Sequence, residues 1–269
     1  MDRVKSGIPG FDQLVGGGIP KGFNLLVTGM PGTGKTIFGL QYLYNGALQG
    51  EKGMYITLDS RLLALEEQCT QFGWDLNKMR GEKKLFFLEV PLNRQLRINL
   101  FKFIEDRIRE DGVTRIVFDS LSSFVFNINQ FVMELPSIDN LASLPEEDKK
   151  YLGENMLFKQ DIPPDVLQRE KPDPKFYESN SYKRIVYLVL REFSMLGTTN
   201  ILITNETYNG EELTVDGVSE FASDGIVHLR ALEGEQGINT ISVPKMRLTK
   251  INRSVFEFRI DEHGITVKS

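Results

Sequence analysis

The apolar run Phe23-Asn24-Leu25-Leu26-Val27-Thr28 leads directly into Gly29-Met30-Pro31-Gly32-Thr33-Gly34-Lys35-Thr36, and this stretch decides the fold. The run has the length of a buried strand, and the residues after it match the pattern G-x-x-x-x-G-K-[ST] in full. Apolar residues then recur at the spacing of one helix face, at Ile37, Leu40, Tyr44 and Ala47. The stretch therefore predicts a strand, a glycine-rich loop and an amphipathic helix, in that order.

The glycine-rich loop has the residues that phosphate binding needs. Glycines let backbone N–H groups curve around phosphates, and the following helix points the positive end of its dipole at them. We expect Lys35 to reach the β- and γ-phosphates of ATP and the Thr36 hydroxyl to bind Mg²⁺. A chance match is the alternative, but the position between a strand and a helix argues against it. The predicted binding residues are Gly29, Met30, Pro31, Gly32, Thr33, Gly34, Lys35, Thr36 and Ile37.

Strand patterns alternate with helix patterns along most of the chain. Apolar runs of strand length occupy 54–58, 85–88, 115–119 and 200–204, and helical spacing occupies 62–72, 100–109 and 182–196. Alternation of this kind predicts an α/β fold with a mostly parallel sheet flanked by helices. Later runs at 225–229, 240–246 and 255–260 predict C-terminal β-hairpins. Ligands of such sheets bind beyond the carboxyl ends of the parallel strands.

Three acids follow predicted strands at those ends. Asp119 is expected to hold the water shell of Mg²⁺, and a helix N-cap is the alternative. Asp59 could orient or deprotonate the attacking water in phosphoryl transfer, with the same alternative. Glu206, in Thr204-Asn205-Glu206, would face the γ-phosphate unless it marks a solvated strand end. The sequence therefore predicts a site for ATP with Mg²⁺, in which Thr36 and Asp119 serve the metal.

Two cations lie further along the chain. Lys245 and Arg247 are two residues apart on a late predicted strand, so their side chains point to the same face. Paired cations suit an anion site, but spacing alone favours an ordinary solvated face. His228 and Trp74 are interpreted as structural residues.

The segment 127–180 departs from the alternating pattern. It holds six of the eleven prolines, and its eleven acids against six Lys or Arg give a net charge of −5, equal to that of the whole chain. We interpret it as an inserted cap or loop within a single domain that spans 1–269. Because like charge repels a phosphate backbone, this acidic segment disfavours DNA binding.

Composition limits where the protein acts. The chain has 41% hydrophobic and 26% charged residues, which is typical of a globular domain. No apolar run reaches the roughly 18 residues of a membrane span, and the N-terminus has no apolar signal segment. We therefore expect a cytoplasmic location and no membrane partner.

The motifs together resemble those of the KaiC-like branch of the RecA/RadA superfamily. The resemblance covers nearly the whole chain except the insertion, and it implies a RecA-type fold and ATPase activity. The matching segments are Ser6-Gly7-Ile8-Pro9-Gly10-Phe11-Asp12, Gly16-Gly17-Gly18-Ile19-Pro20, the P-loop, Gln41-Tyr42-Leu43-Tyr44-Asn45-Gly46, Phe72-Gly73-Trp74-Asp75, Asp119-Ser120-Leu121, Phe221-Ala222-Ser223-Asp224-Gly225 and Lys245-Met246-Arg247.

The resemblance also implies self-association as a ring, such as a hexamer, or as a filament, with ATP between neighbouring subunits. Lys245 and Arg247 would then act on the γ-phosphate of the adjacent subunit. The chain departs from the family in three places, and the first is the acidic segment 127–180, which stands near where RecA-type recombinases have a DNA-binding loop. Relatives usually carry two adjacent glutamates where this chain has Asp59-Ser60, so hydrolysis is expected to be slow or absent. Leu248 stands where the family often has a glycine.

Three functions follow from these features. The leading hypothesis is an oligomeric, nucleotide-dependent switch that hydrolyses ATP slowly and acts on an unidentified protein partner. The second is a RadA-paralogue role in DNA repair with binding of single-stranded DNA. It would be favoured by a basic stripe on one face, formed by Lys5, Lys21, Lys83, Lys84, Lys245 and Lys250. The third is a non-catalytic ATP sensor or scaffold, which Asp59, Lys245 and Arg247 argue against.

Overall fold

The computed structural model describes residues 1–90, 100–124, 180–207, 212–231 and 238–268. The predicted insertion at 127–180 lies outside these ranges, apart from its last residue, Asn180. Its assignment as an insertion in a single domain over 1–269 stays a prediction.

A nine-stranded sheet forms the centre of the molecule, with the order β11-β10-β9-β8-β3-β7-β6-β4-β5. The six strands from β8 to β5 run parallel, whereas β9, β10 and β11 are antiparallel. Strands β1 and β2 form a separate pair near the N-terminus. The strands are β1 Arg3–Val4, β2 Ile19–Pro20, β3 Asn24–Thr28, β4 Gly53–Thr57, β5 Leu85–Glu89, β6 Arg115–Asp119, β7 Thr199–Ile203, β8 Gly225–Ala231, β9 Asn239–Met246, β10 Phe256–Asp261 and β11 Gly264–Val267.

Helices cover both faces of this sheet. In the described ranges they are α1 Phe11–Leu14, α2 Lys35–Leu48, α3 Leu62–Thr70, α4 Leu76–Gly81, α5 Leu100–Asp111, α6 Asn180–Met195 and α7 Ser219–Ala222. None of them combines the length and apolar character that crossing a membrane requires.

The alternation of side chains along β3 builds a core on each face. Leu25 and Val27 join the apolar cluster that contains α2 residues such as Phe38. Leu26 points the other way and joins the cluster that contains Phe193 of α6. A parallel strand that is buried on both faces has a nearly continuous apolar sequence, which is why residues 23–28 do not alternate between apolar and polar side chains.

The strand register brings the predicted acids to one edge of the sheet. Asp119 lies beside Thr57 and Ile203 on its two neighbouring strands, and Val27 lies beside Ile203. We call this edge, where β3, β4, β6 and β7 end, the carboxyl edge. The opposite edge, where β3 begins at Asn24 and β8 begins at Gly225, is the amino edge.

The predicted α/β fold, a mostly parallel sheet flanked by helices with antiparallel C-terminal strands, is confirmed. Strands β1, β2 and β11 and the short helices α1, α4 and α7 were not predicted. Each is too short for hydrophobic periodicity to reveal it, since the pattern needs a longer window.

Candidate nucleotide-binding site

The P-loop joins the end of β3 to the start of α2 at the carboxyl edge. Gly29 and Gly32 have φ angles of 154° and 85°, in the region that glycine adopts readily. An added β-carbon at Gly29 would collide with the Leu229 carbonyl oxygen, whereas one at Gly32 would meet nothing within 4 Å. The first glycine therefore permits close packing against β8, and Gly32 leaves open space inside the loop.

Lys35 begins α2 and folds its side chain back over the loop. Its Nζ donates to the carbonyl oxygens of Gly29 at 2.7 Å and Met30 at 2.8 Å. Burial lowers the pKa of Lys35 to about 8, while the charges of Asp119 and Glu206 act in the opposite direction. The ammonium group is thus held inside the loop, where the phosphates of a nucleotide would offer it stronger acceptors.

Thr36 and Asp119 meet directly across the site. Thr36 Oγ1 donates to Asp119 Oδ2 over 2.8 Å, and the hydroxyl of Tyr55 on β4 donates to the same oxygen over 2.5 Å. Burial raises the pKa of Asp119, and the two hydroxyl donors oppose this shift. A hydroxyl and a carboxylate on adjoining elements form the oxygen set that Mg²⁺ takes in P-loop proteins, so the residues present fit ATP with Mg²⁺.

Asp59 lies beside this pair, just beyond the end of β4. The chain is fixed there because Leu58 N donates to the Asp119 carbonyl oxygen over 2.8 Å. Asp59 Oδ2 accepts hydrogen bonds from Ser120 Oγ at 2.9 Å and Ser123 Oγ at 2.6 Å. Asp59 itself is exposed, in contrast to Asp119, which is buried. The structure therefore brings Asp59 and Asp119 together, as predicted.

Glu206 is buried next to the P-loop and does not form a solvated strand end. Its backbone N–H donates to Gly29 O over 3.4 Å, and its carboxylate lies 2.6 Å from His228 Nε2 on β8. Arg230 Nε is 3.2 Å from the same nitrogen. One ring nitrogen cannot donate and accept at once, so we assign a proton on Nε2 that is donated to the closer carboxylate. Burial lowers the pKa of His228 despite this bond.

Lys245 and Arg247 lie at the amino edge, away from the P-loop of their own chain. Met246, which lies between them, pairs with Gly225 at the start of β8, and Gly225 pairs with Leu25 on β3. Leu25 lies three residues before Thr28, where β3 ends and the P-loop begins. Three residues of strand span about 10 Å. The structure thus does not bring the two cations to this chain's own phosphate site.

Both cations contact the turn that precedes β8. Lys245 Nζ donates to the carbonyl oxygens of Glu220, Phe221 and Ser223 at 2.7–3.0 Å. Arg247 pairs with Asp224 at 3.2 Å, and its side chain remains half exposed. Lys245 is therefore anchored by backbone, while the Arg247 guanidinium keeps one side open to solvent.

The remaining predicted binding residues lie in or beside the loop with different exposures. Pro31 is exposed, and Thr33 is buried with its hydroxyl donating to Met30 O over 2.9 Å. Ile37 packs its side chain against the core, so only its backbone N–H is available at the helix start.

Sequence reasoning missed four residues that contact the predicted acids: Tyr55, Ser120, Ser123 and His228. Ser120 and Ser123 could have been found, since Ser120 follows Asp119 directly and Ser123 lies one helical turn beyond Ser120. His228 was interpreted as structural, and its contact with Glu206 depends on the pairing of distant strands. The contact of Tyr55 with Asp119 also depends on strand pairing, since the two residues are 64 positions apart.

Comparison with known proteins places these features in a family. The family profile described as "ATPase: KaiC" matches residues 4–147 and 176–269. The chain is 28% identical to the circadian clock oscillator protein KaiC of Synechococcus elongatus, over 98% of this chain but only 44% of that protein. It is 29% identical to a UPF0273 protein of Aeropyrum pernix, over 99% of this chain and 94% of that protein.

A solved structure agrees with the sequence matches. The crystal structure of a KaiC-like protein from the hyperthermophilic archaeon Pyrococcus horikoshii has a TM-score of 0.70 and 27% identity, and the match covers 100% of this chain and 99% of that one. The chain therefore belongs to the KaiC family of ATPases, in the RecA superfamily of P-loop proteins.

Proposed function

We propose that this protein is an ATP-dependent oligomeric switch that hydrolyses ATP slowly. The observation that carries the proposal is the convergence of Lys35, the Thr36–Asp119 pair and Asp59 at the carboxyl edge. In this reading ATP is bound by the P-loop, and its presence sets self-association and the binding of a protein partner. The location is the cytoplasm.

In the proposed reaction the oxygen of a water molecule forms a bond to the γ-phosphorus of ATP. The bond from that phosphorus to the bridging oxygen breaks, the bridging oxygen keeps the electron pair, and ADP leaves. The proton of the water ends on inorganic phosphate. Asp59 orients the water by accepting a hydrogen bond, and Lys35 offsets the charge on the phosphates. Thr36 and Asp119 would hold Mg²⁺, which would supply positive charge that offsets the charge of the phosphates.

Slow turnover follows from the acids that are present. Asp59 is the one carboxylate at the position where relatives usually carry two glutamates, and Ser60 follows it. Its side chain is exposed, so water competes for the hydrogen bonds that orient the nucleophile. Catalysis of phosphoryl transfer consists mostly of positioning and charge stabilisation, and both are weaker with a single solvated acid.

The location of Lys245 and Arg247 supports a site shared between subunits. They lie at the amino edge, so they can reach a γ-phosphate only on another copy of the chain. Arg247 is suited to this role because its guanidinium is half exposed. We propose a ring, such as a hexamer, or a filament, in which each copy supplies these cations to its neighbour's ATP.

Steady-state ATP turnover with Mg²⁺, measured for the wild type beside Asp59→Asn, tests the catalytic part of the proposal. We expect slow turnover that falls by about two orders of magnitude in the variant, because water loses its oriented acceptor. ATP binding is tested separately by calorimetry of Lys35→Ala, and we expect this variant to lose tight ATP binding. ATP binding without turnover in the wild type would favour the non-catalytic sensor instead.

The alternative role in DNA repair has less support. Three of the six lysines that would form a basic stripe have partners within the chain. Lys5 donates to Gly17 O at 2.7 Å, Lys84 pairs with Glu82 at 2.7 Å, and Lys245 is anchored as described. We expect no mobility shift of oligo-dT at low salt, where phosphate contacts are strongest. A shift that disappears as salt rises would favour the DNA-binding function.

A further inference from the structure

Asp59 is held by two hydroxyl groups that come from the other side of the site. Ser120 and Ser123 lie on the chain just after β6, and both donate to the same oxygen, Oδ2. Ser120 Oγ also accepts from the Ser123 backbone N–H over 3.1 Å. The one proton of the Ser120 hydroxyl has two acceptors within reach, Asp59 Oδ2 at 2.9 Å and Ser123 Oγ at 3.0 Å, whereas Ser123 Oγ donates to Asp59 Oδ2 over 2.6 Å. Ser123 is therefore the closer donor to Asp59, and Ser120 supports it either by donating to the carboxylate or by donating to Ser123.

The arrangement leaves the second carboxylate oxygen unused. Within the described part of the chain, Asp59 Oδ1 accepts no hydrogen bond, and the residue is exposed. A carboxylate with one oxygen anchored and the other open to water is oriented for a single acceptor role. An unanchored aspartate on the surface would instead sample several rotamers.

Ser60, at the place of the family's second acid, gives no such support. Its backbone N–H and carbonyl contact Thr57 Oγ1 at 2.9 and 3.1 Å, and its own hydroxyl has no partner among the described residues. In the part of the chain that the structure describes, the side-chain hydrogen bonds that orient Asp59 therefore come from the turn after β6 alone. Asp119, which serves the metal, begins the same turn.

We infer that Ser123, together with Ser120, is a positioning residue that fixes Asp59 for the attacking water. The inference rests on the proposed function, since it assigns a role to groups that support the proposed catalytic acid. The serine hydroxyls connect Asp59 by hydrogen bonds to the turn that begins at Asp119, the proposed metal ligand. A small displacement of this turn would therefore change the metal ligand and the water acceptor together.

A purely structural role for the two serines makes a different prediction. In that case the hydroxyls only connect the end of β4 to the turn after β6, and their loss lowers the stability of the folded protein. Binding of ATP and binding of a transition-state analogue would then change equally. Positioning instead predicts a loss that is confined to the transition state.

The test compares Ser123→Ala, Ser123→Thr and the control Ser60→Ala in the full-length protein with Mg²⁺. We measure kcat, the Kd for ATP, and the Kd for ADP with aluminium fluoride, which resembles the transferring phosphoryl group. Ser123→Ala should lower kcat and weaken analogue binding by about tenfold, with the Kd for ATP unchanged. Ser123→Thr should restore both because it keeps the hydroxyl, and Ser60→Ala should match the wild type.

A double variant separates this inference from the function on which it rests. Asp59→Asn with Ser123→Ala should be no slower than Asp59→Asn alone, because a positioning residue acts only through its partner. Wild-type kcat and analogue affinity in Ser123→Ala, or equal impairment in Ser123→Thr, would overturn the positioning role alone. Wild-type turnover in Asp59→Asn would overturn the proposed function of Asp59 itself.

Discussion

Hydroxyl groups hold both acids at the carboxyl edge, and each acid is held through one oxygen. Asp119 Oδ2 accepts from Thr36 and Tyr55, and Asp59 Oδ2 accepts from the two serines after β6. A hydrogen bond to a charged group contributes about 1.5–3 kcal/mol, which is enough to select one rotamer. Each acid thus presents its remaining oxygen in a defined direction. Side-chain hydroxyls, including one from inside the sheet, set the geometry of the site.

Replacing Tyr55 with Phe should weaken the proposed Mg²⁺ site without changing the binding of ATP in the absence of Mg²⁺. The ring still fills its buried position, but Asp119 loses a donor and with it part of its fixed orientation. We expect the Mg²⁺ concentration for half-maximal ATP binding to rise about tenfold, and ATP binding in EDTA to stay unchanged. Titration of Mg²⁺ against a fluorescent ATP analogue measures this. Tyr44→Phe is the control, because Tyr44 stacks on Trp74 outside the site. Equal Mg²⁺ dependence in both variants would contradict the prediction.

Replacing His228 with Gln should flatten the dependence of stability on pH. Burial lowers the pKa of His228 below 6.5, so the unfolded chain binds a proton that the folded protein does not. The stability of the wild type therefore falls as pH drops from 6.5 towards the lowered pKa, by at most about 1.4 kcal/mol per pH unit from this group. Gln keeps an N–H for Glu206 but does not titrate.

Urea unfolding at pH 6.5 and 5.5 checks this prediction for both proteins. We expect the wild type to lose more free energy of unfolding between the two values than His228→Gln. The exposed His263 provides the control, and His263→Gln should lose as much as the wild type. The same loss in all three proteins would show that the pKa of His228 is not lowered by folding.

At the scale of elements, the end of β9 has an unusual backbone. Leu248 follows Arg247 and has a φ of 53°, in the left-handed region that glycine favours. Its side chain is 78% exposed, so packing does not offset the strain. The family often has a glycine at this position, which would adopt this φ without strain. The turn that carries Arg247 is therefore formed at an energetic cost.

Replacing Leu248 with Gly should stabilise the protein by about 0.5–1 kcal/mol, since relief of the strained φ exceeds the added entropy of the unfolded chain. Leu248→Ala keeps a β-carbon and should leave the free energy of unfolding near that of the wild type. Urea denaturation of both variants at one pH makes the comparison. If Gly and Ala are equally stable, the backbone at this position is not strained.

The elements predicted from the sequence are those with long periodic patterns. Strands such as β3 and β6 are continuous apolar runs because the sheet is covered on both faces, and the acids at their ends followed from the register of a parallel sheet. The contacts of Tyr55 and His228 could not be predicted in this way. Each depends on which strands are neighbours, and the order β3-β7-β6-β4 is not the order along the chain.

At the scale of the whole molecule, the P-loop and the cations lie at opposite edges of the sheet. The carboxyl edge carries Lys35 and the acids, and the amino edge carries Lys245 and Arg247 on the far side of β8. A single copy of the chain therefore has the groups proposed to bind ATP at its P-loop, but its own Lys245 and Arg247 do not lie beside them. Activity should depend on how copies meet.

Mixing two inactive variants should restore turnover. Lys35→Ala lacks a working P-loop but keeps its cations, and Arg247→Ala has the reverse defect. At a 1:1 ratio roughly a quarter of neighbouring pairs would combine the intact P-loop with the intact arginine, so about that share of activity should return. Steady-state turnover of each variant and of the mixture measures this. As a control, a mixture of Lys35→Ala with Lys35→Ala/Arg247→Ala should stay inactive. No recovery in the first mixture would contradict a site shared between copies.

The separation of the two edges gives any assembly a direction. A copy with Arg247→Ala would bind and hydrolyse its own ATP normally yet disable the copy on one side of it. A copy with Lys35→Ala would be inactive itself and leave that neighbour working. In an assembly that also contains the wild-type chain, either variant would remove one active site for each altered copy. The two variants would differ in which copy loses its activity: the lysine variant loses its own, whereas the arginine variant stops the copy beside it, which a self-contained ATPase cannot do.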